Sequence, residues 1–152
     1  MNLIEKRILK TLKRQSGLIK SINFIEQTID FFDIFPKNEE DKKILEKEAS
    51  NYAITLKKSP RGNFYKFITP IQTPFGDLYF FKIRWFDNSK VLFDGAADFV
   101  ITDFDKFKKT YSQNNFFEPI TNNSKTGYDG YKYQDKNNWI CFLNSSIKTV
   151  LK

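Results

Sequence analysis

The 152-residue chain contains no histidine. A Ser-His-Asp or Cys-His relay is therefore excluded, and no imidazole general base exists. It has one cysteine, Cys141, so no internal disulfide can form and nothing points to an oxidising compartment. Without histidine and with a single thiol, a zinc site has almost no ligands to draw on. The six glycines form no phosphate-cradling loop. No run approaches the roughly 18 to 20 apolar residues of a membrane span. No apolar stretch of secretory-signal type follows the positive N-terminus, so the default location is cytoplasmic. Arginine is scarce too: 4 of the 25 basic residues, against 21 lysines.

What is abundant is lysine, asparagine and phenylalanine. The formal net charge is +7, and there are 17 Phe, 7 Tyr and 2 Trp. A composition rich in Lys, Asn, Ile and Phe but poor in Ala and Arg is also what an AT-rich coding sequence yields, so part of the charge reflects codon usage rather than a partner. Lysine favours point contacts with phosphates over the bidentate reading of base edges that arginine performs. The rings are expected to build the core in place of Leu and Val; the alternative is that some are exposed as a stacking platform for bases. At 40% hydrophobic residues the chain has enough apolar material for a core.

Residues 3 to 15 have helical periodicity. Ile4, Ile8, Leu9 and Leu12 share one arc, with Lys6, Arg7, Lys10, Lys13 and Arg14 opposite. Gly17 is placed to end this helix. The spacing of Ile22, Ile25, Ile29 and Phe32 predicts a second helix from Ile19 or Ser21 to Phe35, stopped by Pro36. Asn38 followed by Glu39, Glu40 and Asp41 predicts the cap and first turn of a third, with Leu45, Ala49, Tyr52 and Leu56 as its buried stripe.

Ser59 to Asn63 marks a change to strand-forming residues. Strands are expected over 64–71, 77–86, 90–93 and 97–102, followed by an Asp103-capped helix over 104–111. A final hairpin joins 131–134 to 139–143, and residues 145–152 read as a strand or a frayed helix. The loop 122–130 has no pattern and is expected to be mobile. The reading is one α+β domain over 1–152, in which a layer of three N-terminal helices (1–58) packs on a mostly antiparallel β-sheet (64–152).

Two groups of cations carry the functional reading. The helix stripe of Lys6, Arg7, Lys10, Lys13 and Arg14 suits a phosphate backbone or an acidic protein groove. In the strand 77–86, alternation sets Tyr79, Phe81, Ile83 and Trp85 on a core face and Lys82 and Arg84 on the other, which is expected to be partly exposed. Both groups point to a non-enzymatic protein that binds a polyanion, most simply nucleic acid. The alternative is an inhibitor or adaptor of mobile-element type whose basic helix occupies an acidic or nucleic-acid-binding groove of another protein.

A small nuclease comes third. Asp94, Asp98, Asp103, Asp105 and Lys106 hold the residue types of a Mg²⁺ site, but Asp105 and Lys106 are adjacent where an acid-x-Lys is needed. Asp103 reads as a cap and Asp94 with Gly95 as a turn. A metal-free ribonuclease built on Lys82, Arg84 and Tyr65 or Tyr79 has chemistry in its favour but no distinctive spacing. Cys141 lies in an apolar run and reads as a small buried hydrophobe. No catalytic residue, metal or cofactor is expected.

Overall fold

A computed structural model describes residues 2–90 and 93–151. The chain is mixed α+β. In order it forms α1 (Leu3–Ser21), β1 (Phe31–Ile34), α2 (Glu39–Tyr52), β2 (Ala53–Lys57), β3 (Gly62–Thr73), β4 (Gly76–Arg84), β5 (Gly95–Val100), α3 (Phe104–Tyr111), β6 (Phe117–Ile120), β7 (Gly130–Gln134) and β8 (Trp139–Leu143). The strands make one eight-stranded sheet ordered β2-β3-β4-β1-β5-β8-β7-β6. The β1–β4 and β5–β8 pairings are parallel and the others antiparallel.

Two expectations about the N-terminal half need correction. The first helix does not stop at Gly17. Its buried stripe of Ile4, Ile8, Leu12, Gln15 and Ile19 continues past that residue, and packing of Ile19 outweighs the roughly 1 kcal/mol that a helical glycine costs. It ends where Ile22 becomes extended and Phe24 takes a left-handed φ of 65°. The second helix does not form. Phe31–Ile34 is a strand in the middle of the sheet, between β4 and β5. The spacing from Ile22 to Phe32 imitates a helix, but the unbroken run Phe31 to Phe35 is that of a central strand buried on both faces.

Helices and sheet are therefore interleaved, with α3 after β5, and β1 and β2 fall inside the stretch read as helical. Leu56 and Lys57 belong to β2 rather than to the preceding helix. The strand expected over 90–93 meets a 3₁₀ turn, Asn88–Lys90, and Val91 and Leu92 lie outside the described residues. The strand β6 was not anticipated. Near the C-terminus the chain forms a 3₁₀ turn, Ile147–Thr149; Lys152 lies outside the described residues.

The caps are as the sequence requires. Asn38 Oδ1 accepts from the Asp41 amide at 2.7 Å, and Asp103 Oδ1 from the Lys106 amide at 3.1 Å.

The sheet has two differently covered faces. On the first, Ile4, Ile8 and Leu12 of α1, Leu45 and Ala49 of α2, and Phe107 and Tyr111 of α3 share a core with Phe32, Phe67, Phe81, Phe99 and Phe142. On the second, no α-helix takes part among the described residues. Phe31, Phe64 and Phe80 pack under Ile147 and Leu151, while Phe35, Phe93 and Ala96 pack beside Trp139.

Alternation along β4 holds for Phe80 to Ile83 and fails before them. Leu78 joins Phe81 and Ile83 in the helix-side core, and Tyr79 is exposed with the Lys148 ammonium 5.4 Å from its ring centroid. The change of phase coincides with a shift in the β3–β4 register, between the pairs Lys66–Phe80 and Ile71–Leu78. Trp85 is half-buried just beyond the strand, and Tyr52 at the end of α2 is 48% exposed, so neither is a core residue.

Phe81 is fully buried and stacked 5.0 Å from Tyr65 and 4.4 Å from Phe67. Phe81→Ala should cost about 3–5 kcal/mol in chemical denaturation, whereas Tyr52→Ala should change stability by about 0.5 kcal/mol or less.

Candidate functional site

The second face carries charge in a place where the sequence is otherwise apolar. Register sets Asp33 of β1 directly beside Lys82 of β4, Asp98 of β5 beside Cys141 of β8, and Cys141 beside Lys132 of β7. Asp33, Lys82 and Asp98 are all buried. Two unpaired carboxylates in such a position would be very costly. They are met by Lys125 from the β6–β7 loop, whose ammonium lies 2.6 Å from Asp33 Oδ2 and 2.7 Å from Asp98 Oδ2, and 4.9 Å from the Phe31 ring centroid. The loop expected to be mobile is thus pinned at the centre of the sheet. Its backbone is shaped for this: Asn123 Oδ1 accepts from the Lys125 amide, the Gly127 amide donates to the Asn123 carbonyl, and Asn122 and Gly127 take left-handed φ.

Burial pushes the Asp98 carboxyl up to about 7, against the pull of Lys125 and with the added repulsion of Asp33. Burial alone would lower Lys125, but Asp33 and Asp98 overcome it and hold the ammonium well above its ordinary value. Lys82 is pushed down to about 8 by burial; Asp33 opposes the fall, and Lys125, Arg84 and Arg61 add to it. Burial drives the Cys141 thiol up to about 12, which removes it as a nucleophile near neutrality.

The Lys82 amine has no ion-pair partner among the described residues and sits 4.6 Å from the Phe64 ring centroid. It lines two openings. One, of about 120 Å³, is bounded by Arg84, Lys132, Trp139 and Cys141. The other, of about 400 Å³, is bounded by Lys57, Ser59, Arg61, Phe64, Ser124 and Leu151. Around them, cations lie over rings: Arg84 is 5.2 Å from the Phe35 centroid and 4.5 Å from that of Trp85, and Lys90 and Lys132 are 4.9 and 5.1 Å from that of Trp139. Lys90 also pairs with Asp87, and Lys132 with Glu118.

The two sequence-predicted groups do not come together. Lys6, Arg7, Lys10, Lys13 and Arg14 lie on α1, against the helix-side core, and Lys82 and Arg84 lie on the opposite face of the sheet. Lys6, Lys10 and Lys13 are exposed. Arg7 is tied to Asp41 by two hydrogen bonds of 2.8 and 2.6 Å, and Arg14 approaches Asp94 at 3.6 Å. Those two cations are therefore partly neutralised.

Lys82 was expected to be partly exposed and is 6% exposed, because the 122–129 loop and the C-terminal turn cover it; Arg84 is half-exposed as expected. The acids considered for Mg²⁺ are dispersed: Asp94 pairs with Lys37 and Arg14, Asp103 caps α3, and Asp98 belongs to the Lys125 pair. Among the described residues no three or more His, Cys, Asp or Glu side chains stand together as a metal site.

Lys125 is the residue that sequence reasoning missed. A lysine in a polar loop carries no mark of burial. The available signal lay in its partners, since Asp33 within FFDIF and Asp98 within AADFV are acids inside strands with no polar face.

Lys125→Met should cost about 3–5 kcal/mol in denaturant unfolding, because it strands two buried carboxylates. Asp98 gives a pH signature. Its carboxyl titrates near 7 when folded and near 3.8 when unfolded, so the folded chain holds a proton that the unfolded chain has released. This contribution is present below about pH 4 and is lost as pH rises through 7. Stability measured from pH 4 to pH 8 should carry this falling contribution, with no imidazole titrating in the window, and Asp98→Asn should remove it.

No protein-family model matches the chain, and no curated protein matches it. It is similar in fold to a solved structure described as "Structural Genomics, Protein EC4020", with a TM-score of 0.69 and 12% identity, covering 95% of this chain and 86% of that one. At that identity the likeness is one of fold alone.

Proposed function

We propose that the protein is a non-enzymatic binder of an anionic partner, most simply nucleic acid, and that the partner docks on the second face of the sheet, around Arg84, Lys90 and Lys132. The observation that carries this reading is the seating of these cations over Phe35, Trp85 and Trp139. Arg84, with no ion pair among the described residues, keeps its charge available to phosphate oxygens, while Lys90 and Lys132 share theirs with Asp87 and Glu118 and add to the local positive field. Lysine predominance fits a backbone-tracking mode with little sequence preference.

A second reading, an inhibitor or adaptor that presents α1 to an acidic groove of another protein, is favoured by a different observation. Lys6, Lys10 and Lys13 are exposed, and the apolar side chains of Ile44, Tyr52 and Ile68 are exposed around openings that also include Asn2 at the start of the same helix. Exposed lysines on a molecule that also exposes apolar side chains suit a protein partner better than a nucleic acid.

Fluorescence anisotropy with a mixed-sequence single-stranded oligonucleotide separates the two. The triple change Arg84→Gln, Lys90→Gln and Lys132→Gln should weaken binding on the order of tenfold and lower the salt slope by about 2. The triple change Lys6→Gln, Lys10→Gln and Lys13→Gln should leave both near wild type. Loss confined to the helix variant would move the site to α1, and no binding at low salt would overturn the nucleic-acid reading.

A further inference from the structure

We propose that the opening of about 400 Å³ between the β2–β3 turn, the 122–129 loop and the C-terminal 3₁₀ turn is a seat for a phosphate monoester, with Lys82 at its floor and Arg61 and Lys57 at its rim. The inference deepens the nucleic-acid reading and rests on it where the phosphate is the end of a strand.

The lining is one-sided in charge. Lys57, Arg61, Lys82 and Lys125 contribute cations, and Ser59 and Ser124 contribute hydroxyls. No carboxylate lines it among the described residues. Lys125 is already committed to Asp33 and Asp98, so its ammonium is not free for a ligand. Lys82 is 94% buried and makes no ion pair among the described residues, with the Phe64 ring 4.6 Å from its amine and Asp33 as its register neighbour. An amine in that setting either gives up its proton or receives an anion. An arriving dianion supplies an ion-pair partner and holds the amine charged, opposing the fall of its folded pKa toward 8.

Depth selects the form of phosphate. The amine sits below the surface, so the internal diester of a strand crossing the rim does not reach it, whereas a terminal phosphate projects inward. A monoester also carries a charge of about −1.5 to −2 near neutrality, which matches one buried ammonium and one rim guanidinium better than the single charge of a diester. Arg61 is exposed, with no ion pair among the described residues, and its fork is free to take two oxygens.

The same chemistry is offered by a strand end and by a free small monoester, and the test has an arm for each. In the first arm, 5′-phosphorylated and 5′-hydroxyl forms of one oligonucleotide are compared by anisotropy at fixed salt. The phosphorylated form should bind about tenfold tighter, and Lys82→Met and, independently, the exposed Arg61→Gln should each bring the ratio toward one. In the second arm, a nucleoside 5′-monophosphate is titrated while the melting temperature is followed. Stabilisation of the wild type that is lost in Arg61→Gln, with neither oligonucleotide bound, assigns the seat to a free monoester and overturns the nucleic-acid reading. Equal binding of the two oligonucleotides without stabilisation by the monophosphate overturns the seat and leaves that reading in place. Failure of both oligonucleotides to bind, without stabilisation by the monophosphate, overturns the two together.

Discussion

The second face of the sheet depends on one ammonium group. Lys125 meets two carboxylates from neighbouring strands, and each has a buried Oδ1 with no hydrogen-bond partner. Buried ion pairs are poor sources of net stability, because desolvation offsets most of the attraction. Their usual effect is to make alternatives worse. Here the alternative is any arrangement in which the 122–129 loop lifts away and leaves Asp33 and Asp98 facing apolar rings. The clasp therefore specifies where the loop lies, and the loop in turn covers Lys82 and bounds both openings. A second tether acts in the same sense: Asp30 accepts hydrogen bonds from Ser146 and the Ile147 amide, which holds the C-terminal turn over Phe31 and Phe80.

Across the centre of the sheet the row contains two acids, Asp33 and Asp98, and two amines, Lys82 and Lys125. With all four ionised the row is neutral. It is also neutral when Asp98 holds a proton and Lys82 has lost one, and burial pushes these two groups toward each other, to about 7 and about 8. The face can thus exchange one ionisation pattern for another without a change of net charge, and an anion near Lys82 favours the fully ionised pattern.

Local signals were read well where they were chemical. The caps at Asn38 and Asp103, the strand through Phe81 and the hairpin of β7 and β8 all follow from residue type and spacing. Periodicity misled where a short segment fits two templates: Ile22 to Phe32 has helical spacing, yet β1 is fixed by pairing with strands that lie later in the chain. Alternation misled at Leu78 and Tyr79, which lie where the β3–β4 register shifts and β4 changes phase. For the candidate site, Lys82 and Arg84 could be picked out by parity, but their separation from the α1 lysines could not, since that requires knowing which face the helices cover. Lys125 was invisible for the same reason.

The position of Lys125 in the chain makes its contact an expensive one to close. It is 92 residues from Asp33 and 27 from Asp98, so the contact closes large loops and its entropic cost falls before any gain. Until it forms, β1 and β5 bring two carboxylates together beside Phe31, which opposes drying of that face. The helix-side core, with Phe81 and Phe99 at its centre, has no such obstacle. The second face is therefore costly to dry unless the β6–β7 loop is in place with its lysine, whereas no buried carboxylate sets such a condition on the helix-side core among the described residues.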